Sequence, residues 1–325
     1  MVRRFAVRML AAVVASATVF AGSAFAQAWP NKPVRMIVPY PAGGPTDVLA
    51  RVLGQKLGDA LGQNVIVENR PGAGAITGTD AVAKAAPDGY TIGFATIGPL
   101  AVNPSLFPNV PYDPLKDFAP LILVARSYSM LATHPSVPAK DLKELVALIK
   151  ANPGKYTYAS GGIGTTQHLS GELFNEVGGL KMLHVPYKGE GAAQTDLLGG
   201  QVHMMFTSPI VAMNNVRQGK LNGMGVTSPK RLSQMPDVPA IAEVFPGFDV
   251  QAWFAMIAPA GTPEPIVRRL NETMQAVLRA PDVVKRIEDL SAMPAGGTPA
   301  DLTALMRSEI PKWRAVIKSA NIKVE

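Results

Sequence analysis

The chain has 325 residues, 47% hydrophobic and 17% charged, with a formal net charge of +7. That length exceeds what one hydrophobic core usually supports, which predicts two lobes. No cysteine is present, so disulfides, thiolate metal sites, cysteine nucleophiles and a lipid-modified cysteine anchor are excluded.

At the start, Arg3, Arg4 and Arg8 precede an apolar run, MLAAVVASATVFAG, and AFA follows at Ala24 to Ala26. A basic start, an apolar core and small residues at its end form the pattern of a secretory signal. The run is shorter than the ~20 residues of a membrane span. The reading is a signal peptide over 1–26 cleaved after Ala26, with Ala28 as the second option. Its removal takes three arginines and lowers the charge from +7 to +4. No basic run interleaved with aromatics follows, so no nucleic-acid partner is expected. No later stretch is long and apolar enough for a span. The expectation is a soluble, monomeric periplasmic protein that is not a lipoprotein.

From Val34 onward, short apolar runs alternate with helical patterns, as in βαβ units. The strand VRMIVPY leads through PAGGPTD into a helix whose Leu49, Leu53, Leu57 and Leu61 share one face. Thr46 is a candidate N-cap and Gly62 a stop. NVIVEN, the glycine loop RPGAGAITGTD, YTIGFAT and FAPLILVAR complete this part. A second run follows: strand MLAT, helix DLKELVALIKAN, strand YTYAS, loop GGIGTTQ and helix HLSGELFNEV. Strands MLHVPY, VHMMFTS and NGMGVTS then alternate with two further helices before a proline-rich crossing near QMPDVPAIAEVFPGFD. VQAWFAMIAP is an apolar strand, and three helices close the chain. The prediction is an α/β protein, with lobe one at 29–126 plus 249–325 and lobe two at 127–248.

Two strand–loop–helix units, one per lobe, carry the functional signal. The first turn of a helix leaves backbone N–H groups without acceptors, and the helix dipole adds positive charge there. AGGPTD and GGIGTT are therefore each suited to a small anion, without lysine or arginine. Nucleotide binding is not indicated: GxxxxGK[ST] is absent and the dinucleotide glycine spacing is missing. His134, His168, His184 and His203 form no metal-ligand spacing, and no GxSxG elbow occurs. No metal, cofactor or catalytic set is expected. His168 reads as a polar first-turn residue, and Asp47 as a group that bonds loop amides or a ligand hydroxyl. Trp253 and Phe254 read first as core and second as pocket wall.

Together, WPNKPVRMIVPYPAGGPTDVLAR, VENRPGAGAITGTD, YASGGIGTTQHLSGELF, VPYKGEGAAQTDLLGGQV and MPDVPAIAEVFPGFDVQAWFAMIAPAGTP resemble the Bug family. These are the substrate-binding proteins of tripartite tricarboxylate transporters. The resemblance implies a two-lobed, type II-like Venus flytrap that clasps a ligand carboxylate through backbone amides and water. Its first loop would map onto Tyr40, Ala42, Gly43, Gly44 and Asp47. Its second would map onto Ser160, Gly162, Gly164, Thr165, Thr166 and His168. Thr96, Ile97, Thr207, Ser208, Trp253 and Phe254 would read the remainder of the ligand. Thr165, Ala75 and Ala192 depart from a frequent serine, glycine and proline in the family. The implied function is capture of a small organic mono- or dicarboxylate for inner-membrane permease subunits. Alternatives are presentation to a sensor kinase, or an exported hydrolase or isomerase using His168 and Asp47.

Overall fold

The computed structural model describes residues 29–324, so the signal expected at 1–26 lies outside the described residues. The chain opens with β1 (Val34–Val38), α1 (Pro45–Leu61), β2 (Val65–Asn69), α2 (Ile76–Ala83), β3 (Thr91–Thr96), α3 (Asn103–Leu106) and β4 (Phe118–Tyr128). It continues through β5 (Met130–Thr133), α4 (Leu142–Ala151), β6 (Thr157–Ser160), α5 (Thr166–Gly178), β7 (Leu183–Pro186) and α6 (Glu190–Leu198). Then come β8 (Met204–Thr207), α7 (Pro209–Arg217) and β9 (Asn222–Val226). The last part is β10 (Gln251–Pro259), α8 (Glu264–Val277), α9 (Pro281–Asp289), β11 (Met293–Gly296) and α10 (Pro299–Ser319).

These strands form two sheets. One has the order β11-β4-β10-β3-β1-β2, the other β7-β6-β8-β5-β9. In the first, β1 is parallel to β2 and β3, while β10 is antiparallel to β3 and β4. In the second, β6 is parallel to β7 and β8, and β5 is antiparallel to β8 and β9. The parallel units carry their loops at strand carboxyl ends, where open α/β sheets bind ligands.

Local sequence explains most of these elements. On α1 the leucines at 49, 53, 57 and 61 are all buried, as their four-residue spacing requires. The helix starts earlier than its side chains suggest: Gly44 is the N-cap, not Thr46, because Pro45 occupies the first helical position. Proline's fixed φ suits that position, and its missing N–H costs nothing there. Two short elements carry no signal in the sequence. They are β11, which adds an edge strand beside β4, and a π-helical turn at Gly98–Val102 leading into α3. Ala75, at a position where glycine is frequent, takes φ 75, the left-handed region.

The chain crosses between sheets twice, and one residue ties the crossings together. Ser129 alone separates β4 from β5. Its amide donates to Thr227 Oγ1 at 2.9 Å, and its carbonyl accepts from the Thr227 amide at 2.8 Å. Thr227 Oγ1 in turn donates to the Val250 carbonyl at 2.7 Å, on the return crossing. Thr227 is fully buried, so these bonds replace water outright.

Behind the crossings, α10 joins both sheets. Its Leu302, Met306, Trp313 and Ile317 belong to one apolar cluster with Leu123 of β4 and with Leu131, Phe174 and Phe206 of the second sheet's side. Ser319 Oγ donates to Glu176 of α5 at 2.8 Å, and Lys312 Nζ donates to the Asp249 carbonyl at 3.0 Å. One helix thus braces the rear of the cleft.

Candidate functional site

The first loop joins β1 to α1 and is ordered by a buried carboxylate. Asp47 Oδ2 accepts from the Gly43 amide at 2.9 Å and from Arg51 Nε at 3.0 Å. Its Oδ1 accepts from Asn69 Nδ2 at 2.8 Å, which also reaches the Tyr40 carbonyl at 3.1 Å. Hydrogen bonding from Arg51 holds the Asp47 carboxyl down to about 2. The side chain is thus spent on the loop itself. The amides of Thr46 and Asp47, in the first turn, have no protein acceptor among the described residues. Tyr40 OH lies 2.6 Å from Thr96 Oγ1, and burial pushes its phenol up, so it stays neutral.

The second loop joins β6 to α5 and is ordered by neutral side chains. Thr165 caps α5, accepting from the His168 amide and donating to the Gly162 carbonyl at 2.8 Å. Gln167 Oε1 accepts from the Gly161 amide at 2.7 Å, and His168 Nδ1 accepts from the Gly164 amide at 3.0 Å. Ser160 Oγ lies 2.7 Å from His184 Nε2 and accepts from the Gly162 amide at 3.1 Å. The rings of His168 and His184 stack at 3.7 Å. Burial lowers His168 to about 3, helped by its neighbour His184, and lowers His184 to about 4. Gly164 takes φ 76, and a side chain there would collide with Leu106 of α3, whose Cδ2 would lie 2.4 Å from its Cβ. The tip of this loop therefore abuts the first lobe.

These bonds leave the amides of Thr166 and Gln167 without a protein acceptor among the described residues. Both residues line a cleft of about 400 Å³ whose floor is Ser127, Tyr128, Ser129 and Ala252 of the crossing strands. Gly161, Thr165, Glu190, Ser208, Leu290 and Ser291 complete its walls. Ser208 Oγ donates to Ser291 Oγ at 2.9 Å, linking the start of α7 to the segment after α9.

Of the residues singled out in the sequence, Thr165, Thr166 and Ser208 are on this wall. Ser160, Gly162, Gly164 and His168 lie behind it, shaping the loop. Thr207 is fully buried and hydrogen-bonds Glu190 Oε1 at 3.0 Å and Gln194 Oε1 at 3.1 Å. Tyr40, Ala42, Gly43, Gly44, Asp47 and Thr96 are not on this wall; the first loop stands apart from it. Trp253 takes the first of its two readings, core, and does not line this cleft. Alternation along β10 sends it, fully buried, into the α10 cluster, while Ala252 and Phe254 share the opposite face. Phe254 pairs across the sheet with Thr96 and stacks on Phe94 at 6.1 Å. A strip of Tyr40, Thr96 and Phe254 thus runs from the first loop toward the Ala252 floor.

Sequence reasoning missed Ser127, Tyr128, Ser129, Glu190, Ala252, Leu290 and Ser291, and did not single out Gly161 and Gln167 within the second loop. Gln167 had a signal, being the second residue of a loop-opened helix. Leu290 and Ser291 had none, since they reach the cleft only through the packing of α9 and β11. Asp47 and His168 form no catalytic pair: the carboxylate is committed to Gly43, Arg51 and Asn69, and the imidazole's Nδ1 to Gly164.

Two sheets linked by paired crossings, with helix N-termini at the mouth between them, make a clamp of the solute-binding class. The chain belongs to the tripartite tricarboxylate transporter family receptors, whose profile matches residues 49–322. It is 39% identical over 302 residues to protein BugT of Bordetella pertussis, covering 92% of this chain and 93% of BugT. The structure of periplasmic binding protein BugD aligns at a TM-score of 0.72 and 37% identity, over 91% of this chain and 100% of that one. MatC from Rhodopseudomonas palustris with bound malate aligns at 0.72 and 34%, over 89% and 100%.

Proposed function

We propose that this protein captures a small organic carboxylate in the periplasm and delivers it to the permease subunits of a tripartite transporter. One observation carries the reading. Thr166 and Gln167, whose amides have no protein acceptor among the described residues, line a 400 Å³ cleft whose wall holds no lysine or arginine. Such a helix end takes an anion without a counter-ion. It supplies roughly 0.3–1 kcal/mol through the dipole, up to ~2 when partly buried. Micromolar binding needs about 8 kcal/mol, so directed hydrogen bonds of ~1.5–3 kcal/mol each to the charged acceptor must add to it. The matching amides of Thr46 and Asp47 would join when the lobes approach. Membership of a receptor family and the malate bound to MatC support the same ligand chemistry.

In this reading residues 29–126 with 249–325 move against 127–248, pivoting where Thr227 ties Ser129 to Val250. The protein reaches its compartment through removal of residues 1–26. Mass spectrometry of small molecules released from purified protein tests the function. A carboxylic acid that restabilises the stripped protein and is returned unchanged is the expected result. Chemical turnover of that acid, or release of a ligand with no acidic group, would overturn it.

A further inference from the structure

The cleft continues past the Ser208–Ser291 hydrogen bond. A second compartment of about 260 Å³ shares Ser127, Tyr128 and Ser291 with it. Its other walls are largely apolar, with Pro209, Ile210, Leu232, Met235, Ala292 and Met293. Ile210 is 47% exposed, although isoleucine is among the residues most often buried. An apolar cavity of about 150 Å³ already accommodates benzene.

Charge points the same way. Neither compartment has a lysine, arginine or histidine in its wall, and each has one carboxylate, Glu190 in the first and Glu288 in the second. Glu190 is fixed by Thr207, whose Oγ1 donates to its Oε1 at 3.0 Å. It has no salt-bridge partner among the described residues. A second negative group brought into this space would lose water without gaining a cation and would face like charge. An apolar body would instead leave water for a surface already suited to it.

We propose that the ligand is an acid with a single carboxylate and an uncharged, apolar body. Its head lies at the amides of Thr166 and Gln167, its body enters the second compartment, and Glu190 rejects acids bearing a second carboxylate. This rests on the carboxylate reading above and narrows it.

Calorimetry on the mature protein with the matched pairs hexanoate–adipate and benzoate–terephthalate tests it. The monoacid of at least one pair should bind at least tenfold more tightly than its diacid. Glu190→Gln should lower that monoacid-to-diacid ratio by about tenfold, the size of a like-charge repulsion screened at an open cleft. Ile210→Ser, at an exposed position that the fold tolerates, should lower the hexanoate-to-propionate ratio by at least threefold. Diacids that bind more tightly than their monoacids, or a ratio unmoved by Glu190→Gln, would overturn the proposal and leave the carboxylate reading standing. If none of these acids binds and the released ligand has no acidic group, both fall together.

Discussion

Replacing Thr166 by proline removes one of the donors proposed to hold the ligand and leaves the fold its own bonds. Thr166 is the first residue of α5, where the backbone N–H has no helical acceptor and proline's φ is already correct. The preceding Thr165 sits at φ −66, ψ 156, extended backbone that a following proline accepts. The bond from Ser170 Oγ to the Thr166 carbonyl, 2.7 Å, is untouched. Proline also occupies the equivalent position of α1, at Pro45. Losing one hydrogen bond to a charged acceptor costs about 1.5–3 kcal/mol, or about 10- to 150-fold in affinity. Thr166→Val keeps the amide and serves as the control. Calorimetry with the acid released from the native protein should show the proline variant weakened by that factor, the valine variant within about threefold, and both unfolding near the parent temperature. Parent affinity in Thr166→Pro would refute the claim that the helix amides hold the ligand.

Gly44→Val probes the first loop: Gly44 has φ −76, and an added Cβ would meet only the Pro41 carbonyl at 3.8 Å. Its methyls should shield the Thr46 and Asp47 amides and weaken binding at least tenfold at unchanged stability; undiminished affinity in calorimetry would remove that loop from the clasp. Arg126→Gln and Lys188→Gln should each cost under about 1.4 kcal/mol, or tenfold, of binding, and abolition by either would install a side-chain ion pair in place of the amides. His168 and His184 have pKa values lowered to about 3 and about 4 in the fold, against about 6.5 unfolded. Below pH 6.5 the unfolded chain therefore binds more protons, so stability should fall steadily from pH 6.5 toward 4 and be flat above 7. The melting temperature of His168→Gln should fall less steeply over that range, and parallel curves would contradict the assignment. Thr227→Val leaves the Ser129 amide and the Val250 carbonyl without this partner and should cost about 1–3 kcal/mol of stability. In small-angle scattering, ligand should shrink the parent's radius of gyration, and an unchanged profile at saturation would indicate a rigid cleft.

The parts legible in the sequence are those set by local chemistry. Leucine spacing on α1 and the glycine loops after β1 and β6 each act within a few residues. Their placement followed from pattern alone. The face of β10 did not, because Trp253 and Phe254 are both apolar and only the pleat decides which meets α10 and which meets Thr96. Asp47 bonds a loop amide, that of Gly43, as its place in the loop suggested, but its partners Arg51 and Asn69 were not legible, since they come from one helical turn ahead and from a neighbouring strand. The cleft's far wall was silent for a deeper reason. Ser291 takes φ 58 and reaches Ser208 across 83 residues of sequence, a contact made only when both sheets are assembled.

Backbone amides, not a basic side chain, are proposed to hold the carboxylate. A crystal structure of the protein with the acid it releases tests this most directly. Carboxylate oxygens are expected within about 2.7–3.2 Å of the Thr166 or Gln167 nitrogen, with no lysine or arginine nitrogen in the same shell. A carboxylate paired with Arg126 or Lys188, or bound outside the space between the two sheets, would contradict it.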